Sequence, residues 1–166
     1  MEQFLNRFAW FVGIALVQVL ILNHICLFGL ATPFLYIYFI LVLDKDVDRI
    51  TLMLLAFALG LSVDMFSNTP GVNAGASVLL AFLRPPLLRL LAPREEYEDY
   101  EPGIHTLGTW AFVRYAFVAT LLHHIVLFVL EAFSLTHMGY LWLRILCSTL
   151  LTILLMMCVE FIRHRR

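Results

Sequence analysis

Residues 50–83 read ITLMLLAFALGLSVDMFSNTPGVNAGASVLLAFL, two apolar runs joined by the polar turn 67–71 and closed at each end by an arginine. A helix needs about 20 apolar residues to cross a bilayer, and the length of each run is close to that. The proline and the glycine in the turn favour a break between two helices. The stretch therefore predicts a hairpin of two membrane-spanning helices, over about 50–66 and 72–91.

The composition of the whole chain favours the same class of protein. Of its 166 residues, 62% are apolar and 14% are charged. In a soluble domain roughly 45–50% of the residues are apolar and about 25% are charged. The mean hydropathy is +0.90. A soluble fold of this length exposes too much surface to hide so many apolar side chains. Soluble enzymes, coiled coils and disordered chains are therefore excluded, and the net charge of −1 gives no bias toward nucleic acid.

Most basic residues fall in four groups along the chain. The groups are Arg7; Lys45 and Arg49; Arg84, Arg89 and Arg94; and Arg163, Arg165 and Arg166. The polar breaks between the groups contain no lysine or arginine, so the positive-inside rule places all four groups in the cytoplasm. We expect an all-α integral membrane protein, a single domain over 1–166, with three helical hairpins and both termini cytoplasmic. The six expected spans cover about 8–28, 33–43, 50–66, 72–91, 109–132 and 140–162.

The first hairpin is the least regular of the three. The second span, 33–43, is shorter than the roughly 17–25 residues that spans require. A start near Leu27 would lengthen it and make Pro33 a kink inside it. A five-span arrangement would place the termini on opposite sides. No small-x-small cleavage site follows the first span, so we expect it to remain as a membrane helix.

The fourth span and the segment after it carry unusual residues. We expect a kink at Pro85 and Pro86, with the neighbouring arginines near the lipid headgroups. The polar stretch 93–103 follows, with five acidic residues between prolines. It is either a solvated cytoplasmic loop or a docking strip for a cytoplasmic partner, with its two tyrosines as anchors.

Ionisable residues inside the spans are costly, so each needs a partner or a role. Glu131 and Arg144 flank one outer turn and can pair across it, with Asp64 as a competing partner for Arg144. Arg114 and Glu160 are expected to reach the headgroups on the inner side. The alternative to an ion pair is a polar pocket open to the outside, shared with Asn23, His24 and His137.

The residues predict no catalytic, cofactor or metal site. His123 and His124 are adjacent and point to different helix faces, whereas two zinc ligands on one helix favour i and i+4. The serines lack a Gly-x-Ser-x-Gly context, and no phosphate-binding glycine loop occurs. The three cysteines lie far apart in apolar runs, so we expect small buried side chains and no disulfide.

Small residues recur four positions apart on both sides of the turn 67–71. Ala56 and Gly60 lie in the third span, and Gly71 and Gly75 lie at the start of the fourth. In lipid, small residues let helices approach closely, and that contact is a main source of association. These residues predict either the packing of spans three and four against each other or a face that binds a partner.

Residues 60–74, GLSVDMFSNTPGVNA, resemble the signature of the rod-shape-determining protein MreD family. In that family a span ends in Gly-x-x-x-Asp, a polar turn with Pro-Gly or Pro-x-Gly follows, and the next helix starts with small residues. The length, the six hydrophobic spans and the short basic C-terminus are similar as well. The carried-over residues are Asp64, Pro70 and Gly71. We expect Asp64 either to accept hydrogen bonds from amides of the following turn or to pair with Arg144.

The resemblance implies a non-enzymatic component of the cell-elongation machinery in the bacterial inner membrane, without a cofactor. The partners that it implies are MreC, the actin-like MreB filament, and the wall synthases RodA and penicillin-binding protein 2. The implied fold resembles the substrate-binding membrane subunits of energy-coupling-factor transporters. The alternative function is therefore a small-molecule-binding subunit of a transporter, with its pocket at the outer end near Asn23, His24, Asp64, Glu131 and Arg144.

Overall fold

The computed structural model describes residues 2–44, 47–92, 101–132 and 138–164, and these parts are mostly helical. The helices are α1 (Glu2–Leu20), α2 (Tyr36–Val42), α3 (Arg49–Ser67), α4 (Val72–Leu91), α5 (Ile104–Leu107), α6 (Thr109–Ala132) and α7 (Met138–His164). A short 3₁₀ turn, Leu22–His24, follows α1. Of the sequence predictions, most of the acidic loop (93–100), Lys45, Arg94, His137, Arg165 and Arg166 lie outside the described residues.

Five of these helices are long and apolar enough to cross a membrane, namely α1, α3, α4, α6 and α7. Between 22% and 44% of the residues in each span are buried inside the protein. The remaining apolar side chains form the outer surface, which lipid must cover. The expected class, an all-α multi-pass membrane protein, is therefore confirmed for the described residues. The bounds of α3, α4, α6 and α7 lie within two residues of the predicted spans.

The second predicted span is the one that the structure changes most. Within 33–43 the helix α2 covers only seven residues, which at ~1.5 Å each is far short of a bilayer. The residues before α2 are not helical, and Pro33 lies among them rather than kinking a longer helix. All seven α2 residues are buried, and three of them have no exposed surface. We call residues 31–43 the threaded segment, because the surrounding helices enclose them.

The helix α4 continues through Pro85 and Pro86 to Leu91, with no break at the prolines. Each proline removes one backbone N–H, so the carbonyl four residues earlier loses its helical partner. For Pro86 that carbonyl belongs to Phe82, and the guanidinium of Arg49 donates to it at 2.9 Å. A side chain from the start of α3 thus replaces the hydrogen bond that Pro86 removes.

The first span also ends earlier than predicted. The helix α1 stops at Leu20 rather than near 28, and the chain then makes a tight turn in which Leu27 pairs with Ala31. Phe28 and Gly29 both have positive φ in this turn. Cys26 and Cys158 are exposed on the outside of the bundle rather than buried, and all three cysteines are free thiols.

One end of the bundle collects the described arginines of the predicted cytoplasmic groups. Arg7 near the start of α1 pairs with Asp44, which follows α2, and Arg163 near the end of α7 pairs with Glu101. Arg49 binds α4 at this end, as described above. We call this the arginine-bearing end. The beginning of α1, the end of α2 and the end of α7 therefore meet at one end of the molecule.

Candidate functional site

The turn between α3 and α4, with the residues that fix it, is the candidate site, and we call residues 60–74 the α3–α4 corner. The two helices touch at Gly60. A Cβ atom there would lie 2.6 Å from Cα of Ala74 and 2.7 Å from the carbonyl oxygen of Asn73. Both are backbone atoms that no side-chain rotation can move. Gly60 is therefore required for the approach of α4 to α3.

Asp64 is the centre of the corner. Its side chain is buried, with 2% exposure, one turn beyond Gly60 on α3. Oδ1 accepts hydrogen bonds from the backbone N–H and the side-chain amide of Asn73 and from the hydroxyl of Thr69, each at 2.9 Å. Oδ2 accepts from the backbone N–H of Ala74, also at 2.9 Å. Four donors thus surround one carboxylate.

The carboxylate of Asp64 caps α4 from a neighbouring helix. The helix begins at Val72, so the amides of Asn73 and Ala74 belong to its first turn and have no partner within the helix. A carboxylate there satisfies both amides and lies at the positive end of the helix dipole. Of the two arrangements expected for Asp64, the structure contains amide capping, at Asn73 and Ala74. Arg144 pairs with Glu131 instead.

The turn itself depends on two left-handed residues. Asn68, which ends α3, has φ 54°, and Gly71, which precedes α4, has φ 84°. Asparagine tolerates this conformation better than other side chains, and glycine adopts it freely. Pro70 lies exposed between them. Gly75 is exposed on α4, and a Cβ there would meet only a side-chain atom of Leu130, at 3.9 Å.

A line of buried polar groups connects the corner to the threaded segment. The hydroxyl of Tyr36 donates to Oδ1 of Asn73 at 3.1 Å and lies 3.0 Å from Nε2 of His123. Tyr36, Asn73 and His123 are each at most 4% exposed. Because Asn73 also binds Asp64, the line runs from α3 through α4 and α2 to α6. His124 points to a different neighbour, the hydroxyl of Thr149 on α7, at 2.9 Å.

Two helices hold the non-helical part of the threaded segment. The amides of Thr32 and Phe34 each donate at 3.1 Å to a hydroxyl on α7, from Ser148 and Thr152 respectively. These hydroxyls are one turn apart, ~6 Å along a helix, and alternate amides of extended chain are ~6.6 Å apart, so the spacings match. On the other side, Gln18 of α1 donates to the carbonyl of Pro33 at 3.0 Å.

Two charged residues that were expected at the headgroups are instead buried near the arginine-bearing end. Arg84 is 2% exposed and donates to the carbonyls of Leu41 and Leu43, where α2 ends. Glu160 is also 2% exposed and accepts from the Tyr38 hydroxyl at 2.6 Å. The negative end of α2 attracts the guanidinium, and its unbonded carbonyls need donors. Both side chains are therefore bound inside the protein and do not extend to the lipid headgroups.

The other predicted residues lie apart from the corner. Glu131 of α6 and Arg144 of α7 form an ion pair of 3.1 Å, and the guanidinium of Arg144 lies 4.5 Å from the ring centre of Phe128. Arg114 is exposed and donates at 2.6 Å to the carbonyl of Leu91, the last residue of α4. Asn23 donates to the hydroxyl of Ser67 at 2.8 Å. The residues expected to share an outer pocket therefore have separate partners, and His24 is exposed.

Several buried polar residues that hold the corner and the threaded segment were not predicted as site residues from the sequence. They are Gln18, Tyr36, Asn73, Arg84, Ser148 and Thr152. A polar residue within a predicted span is a signal in itself, because lipid offers it no partner. By this criterion Gln18, Arg84 and Asn73 can be identified from the sequence, but their hydrogen-bond partners cannot. Among the described residues, no group of three or more His, Cys, Asp or Glu side chains could hold a metal ion.

Comparisons with protein-family models, with curated proteins and with solved structures found no match to this chain.

Proposed function

We propose that this chain is a non-enzymatic scaffold of the bacterial cell-elongation machinery, similar to MreD, in the inner membrane. In this role it links MreC and the wall synthases RodA and penicillin-binding protein 2 to the cytoplasmic MreB filament. The support is the sequence resemblance of residues 60–74, together with the absence of any catalytic motif from the sequence.

The observation that carries the proposal is the geometry of the α3–α4 corner. The glycine and the aspartate of the Gly-x-x-x-Asp pattern contact the same two residues, because Gly60 packs on Asn73 and Ala74 while Asp64 binds their amides. A chance occurrence of the pattern would not require this. The spacing of the signature therefore corresponds to one structural unit, a carboxylate-capped crossing of two helices.

The corner also presents an apolar surface. Met65 and Phe66 follow Asp64 in α3 and are 76% and 71% exposed. Their direction depends on the rotation of α3 that Asp64 fixes. A partner with a single transmembrane helix, such as MreC, would contact such side chains within the bilayer, where close packing drives association. In this proposal Asp64 acts on partner binding through the shape of the corner.

We propose further that the chain crosses the membrane six times, with the arginine-bearing end in the cytoplasm. The second crossing would be residues 25–43, partly irregular and partly helical. Irregular backbone at membrane depth is tolerated where protein encloses it, as Gln18, Ser148 and Thr152 enclose the threaded segment. Five crossings would place the two termini on opposite sides.

Topology is tested with cysteines introduced one at a time at Thr69 and at Glu101, in a chain whose three native cysteines are replaced by alanine. Six crossings predict that an impermeant thiol reagent labels position 69 from the periplasm, and position 101 only after lysis. A tag at each terminus should be cytoplasmic. Terminal tags on opposite sides of the membrane would exclude this topology.

The function is tested by deleting the gene in its own rod-shaped host. Loss of the scaffold should round the cells, and the wild-type chain should restore the rod. Asp64→Ala should insert into the membrane but recover much less MreC on co-purification, whereas Glu131→Gln, which alters an exposed ion pair between α6 and α7, should recover MreC normally. Cells that stay rod-shaped with normal wall insertion would refute the proposal. Neighbouring genes for MreB and MreC would support it.

The transporter alternative makes a different prediction for the same experiments. It expects a ligand at the outer end and a neighbouring pair of ATPase genes. In the structure Asn23 binds Ser67, Asp64 caps α4, and Glu131 pairs with Arg144, while His24 is exposed. The scaffold is therefore the function that the described geometry supports best.

A further inference from the structure

A pocket of about 480 Å³ opens at the arginine-bearing end, between α1, α2 and α7. Its volume lies within the roughly 300–1,000 Å³ of small-molecule sites. One wall carries the ion pair of Arg7 and Asp44, and another carries the ion pair of Arg163 and Glu101. The scaffold function described above assigns no role to this pocket.

The charges of the pocket are balanced. Two guanidiniums face two carboxylates, and the buried carboxylate of Glu160 lies 3.8 Å from Arg163. A purely anionic ligand would gain little here, because each arginine already has a carboxylate partner. A ligand that carries both a cation and an anion can replace both halves of each pair. Charge complementarity therefore favours a zwitterion.

The rest of the lining is aromatic and aliphatic. Trp10 and Tyr38 stand with ring centres 6.4 Å apart and planes tilted by 49°. Both rings line the pocket, and Trp10, which is 46% exposed, can contact an ammonium group. Phe39, Val42 and Leu43 supply an apolar wall deeper in the pocket. The pocket thus combines charged walls with a surface that suits hydrocarbon.

The position of the pocket indicates where its ligand comes from. Phe8 on α1 and Phe161 on α7, near its charged walls, are 58% and 54% exposed on the outside of the bundle. These are side chains that contact lipid in a membrane. Tryptophan and tyrosine are typical of the depth at which headgroups meet hydrocarbon. A lipid in the adjoining leaflet can therefore enter without leaving the bilayer.

We propose that this pocket binds one phospholipid with a primary-amine headgroup, phosphatidylethanolamine. The phosphate would lie between Arg7 and Arg163, and the ammonium would lie toward Asp44, Glu101 and the two aromatic rings. An acyl chain would follow the apolar wall.

The test uses the full chain purified in detergent from vesicles of equal parts phosphatidylethanolamine and phosphatidylglycerol, with retained lipid measured by mass spectrometry. Wild type should retain phosphatidylethanolamine at least ~5-fold over phosphatidylglycerol, the selectivity that one ammonium contact provides. Equal retention of the two lipids, or retention of neither, would overturn the proposal.

Charge variants sharpen the test, and all four charged positions are partly exposed, so they should fold. Arg7→Gln with Arg163→Gln should lose the retained lipid. Asp44→Asn with Glu101→Gln leaves Arg7 without a carboxylate partner and Arg163 with only the more distant Glu160, so the preference should reverse toward phosphatidylglycerol. Arg89→Gln, an exposed arginine that does not line the pocket, is the matched control and should behave as wild type. Wild-type selectivity in both pocket variants would refute the assignment.

A competition distinguishes the lipid from a soluble ligand of the same chemistry. Glycerophosphoethanolamine carries the headgroup without acyl chains. If millimolar amounts displace the retained lipid, the site recognises a soluble headgroup and the lipid assignment fails. No displacement is the result expected for a lipid held by its acyl chain as well. These measurements need no protein partner, so their outcome is separate from that of the scaffold proposal.

Discussion

The α3–α4 corner and the threaded segment both satisfy buried polar groups, but their partners come from different distances along the chain. Asp64 in the corner binds residues five to ten positions away. The amides of Thr32 and Phe34 bind hydroxyls 116 and 118 positions away. The corner is therefore specified by a short motif, whereas the threaded segment exists only when α1 and α7 are in place.

This difference predicts how substitutions should affect the structure of each region. A change in the corner should disturb the hairpin of α3 and α4 directly, because that hairpin contains every hydrogen bond that the Asp64 carboxylate accepts. A change at α7 should loosen the threaded segment and leave the corner intact. Tyr36 belongs to both regions, since it lies in α2 and binds Asn73 of the corner.

The largest effect should come from Gly60→Val. The new Cβ would overlap backbone atoms of Asn73 and Ala74, so α4 could no longer approach α3. We expect no monodisperse folded protein by size-exclusion chromatography in detergent. Gly75→Ala is the matched control, because its Cβ has room and alanine favours a helix by ~0.5–1 kcal/mol over glycine. A folded Gly60→Val variant would show that the helix contact is not needed.

Asp64→Ala should have the next largest effect. It leaves buried donors of Asn73, Ala74 and Thr69 without an acceptor, at ~1–3 kcal/mol for each unsatisfied donor. We expect a marked fall in thermal stability in detergent and a smaller fall for Asp64→Asn, which keeps one acceptor oxygen. Glu131→Gln should change stability by less than ~0.5 kcal/mol, since its ion pair is exposed. Equal stability of all three variants would show that the hydrogen bonds of Asp64 do not stabilise the corner.

Arg84→Met tests the end of the threaded segment. The guanidinium donates to the carbonyls of Leu41 and Leu43, and hydrogen bonds from charged groups contribute ~1.5–3 kcal/mol. We expect a loss of that order in unfolding experiments, while Arg89→Gln, which changes an exposed arginine on the same helix, should be neutral. Equal unfolding free energies for the two variants would show that the bonds of Arg84 to Leu41 and Leu43 do not stabilise the protein.

Thr152→Val separates the two regions. Valine keeps the shape of threonine but removes the acceptor for the amide of Phe34, at a cost of ~1–3 kcal/mol. Hydrogen exchange should rise in residues 31–43 and stay unchanged in 60–74. Ser62→Ala is the control, because the Ser62 hydroxyl binds only a carbonyl of its own helix. Faster exchange in the corner as well would mean that the regions unfold together.

Tyr36→Phe should have the smallest of these effects. It removes one hydroxyl that binds Asn73 and contacts His123, and a typical hydrogen bond contributes ~0.5–1.5 kcal/mol. Tyr140→Phe, whose hydroxyl donates to Gly29 at an exposed site, should be nearly neutral. If Tyr36→Phe raised exchange in both regions, the polar line would couple them. Faster exchange in the threaded segment alone would show that the corner is stable without the Tyr36 hydroxyl.

The sequence by itself determined the helical membrane class and the bounds of α3, α4, α6 and α7, and it offered amide capping as one of two roles for Asp64. Those features depend on apolar runs, turn residues and contacts within ten positions, all of which can be read along the chain. Only the tertiary structure decided the course of 25–43, the burial of Arg84 and Glu160, and the partners of Gln18, Ser148 and Thr152. An apolar run with a proline fits a span, a kink or a threaded segment equally well. The choice depends on donors and acceptors more than a hundred residues away, which no local pattern records.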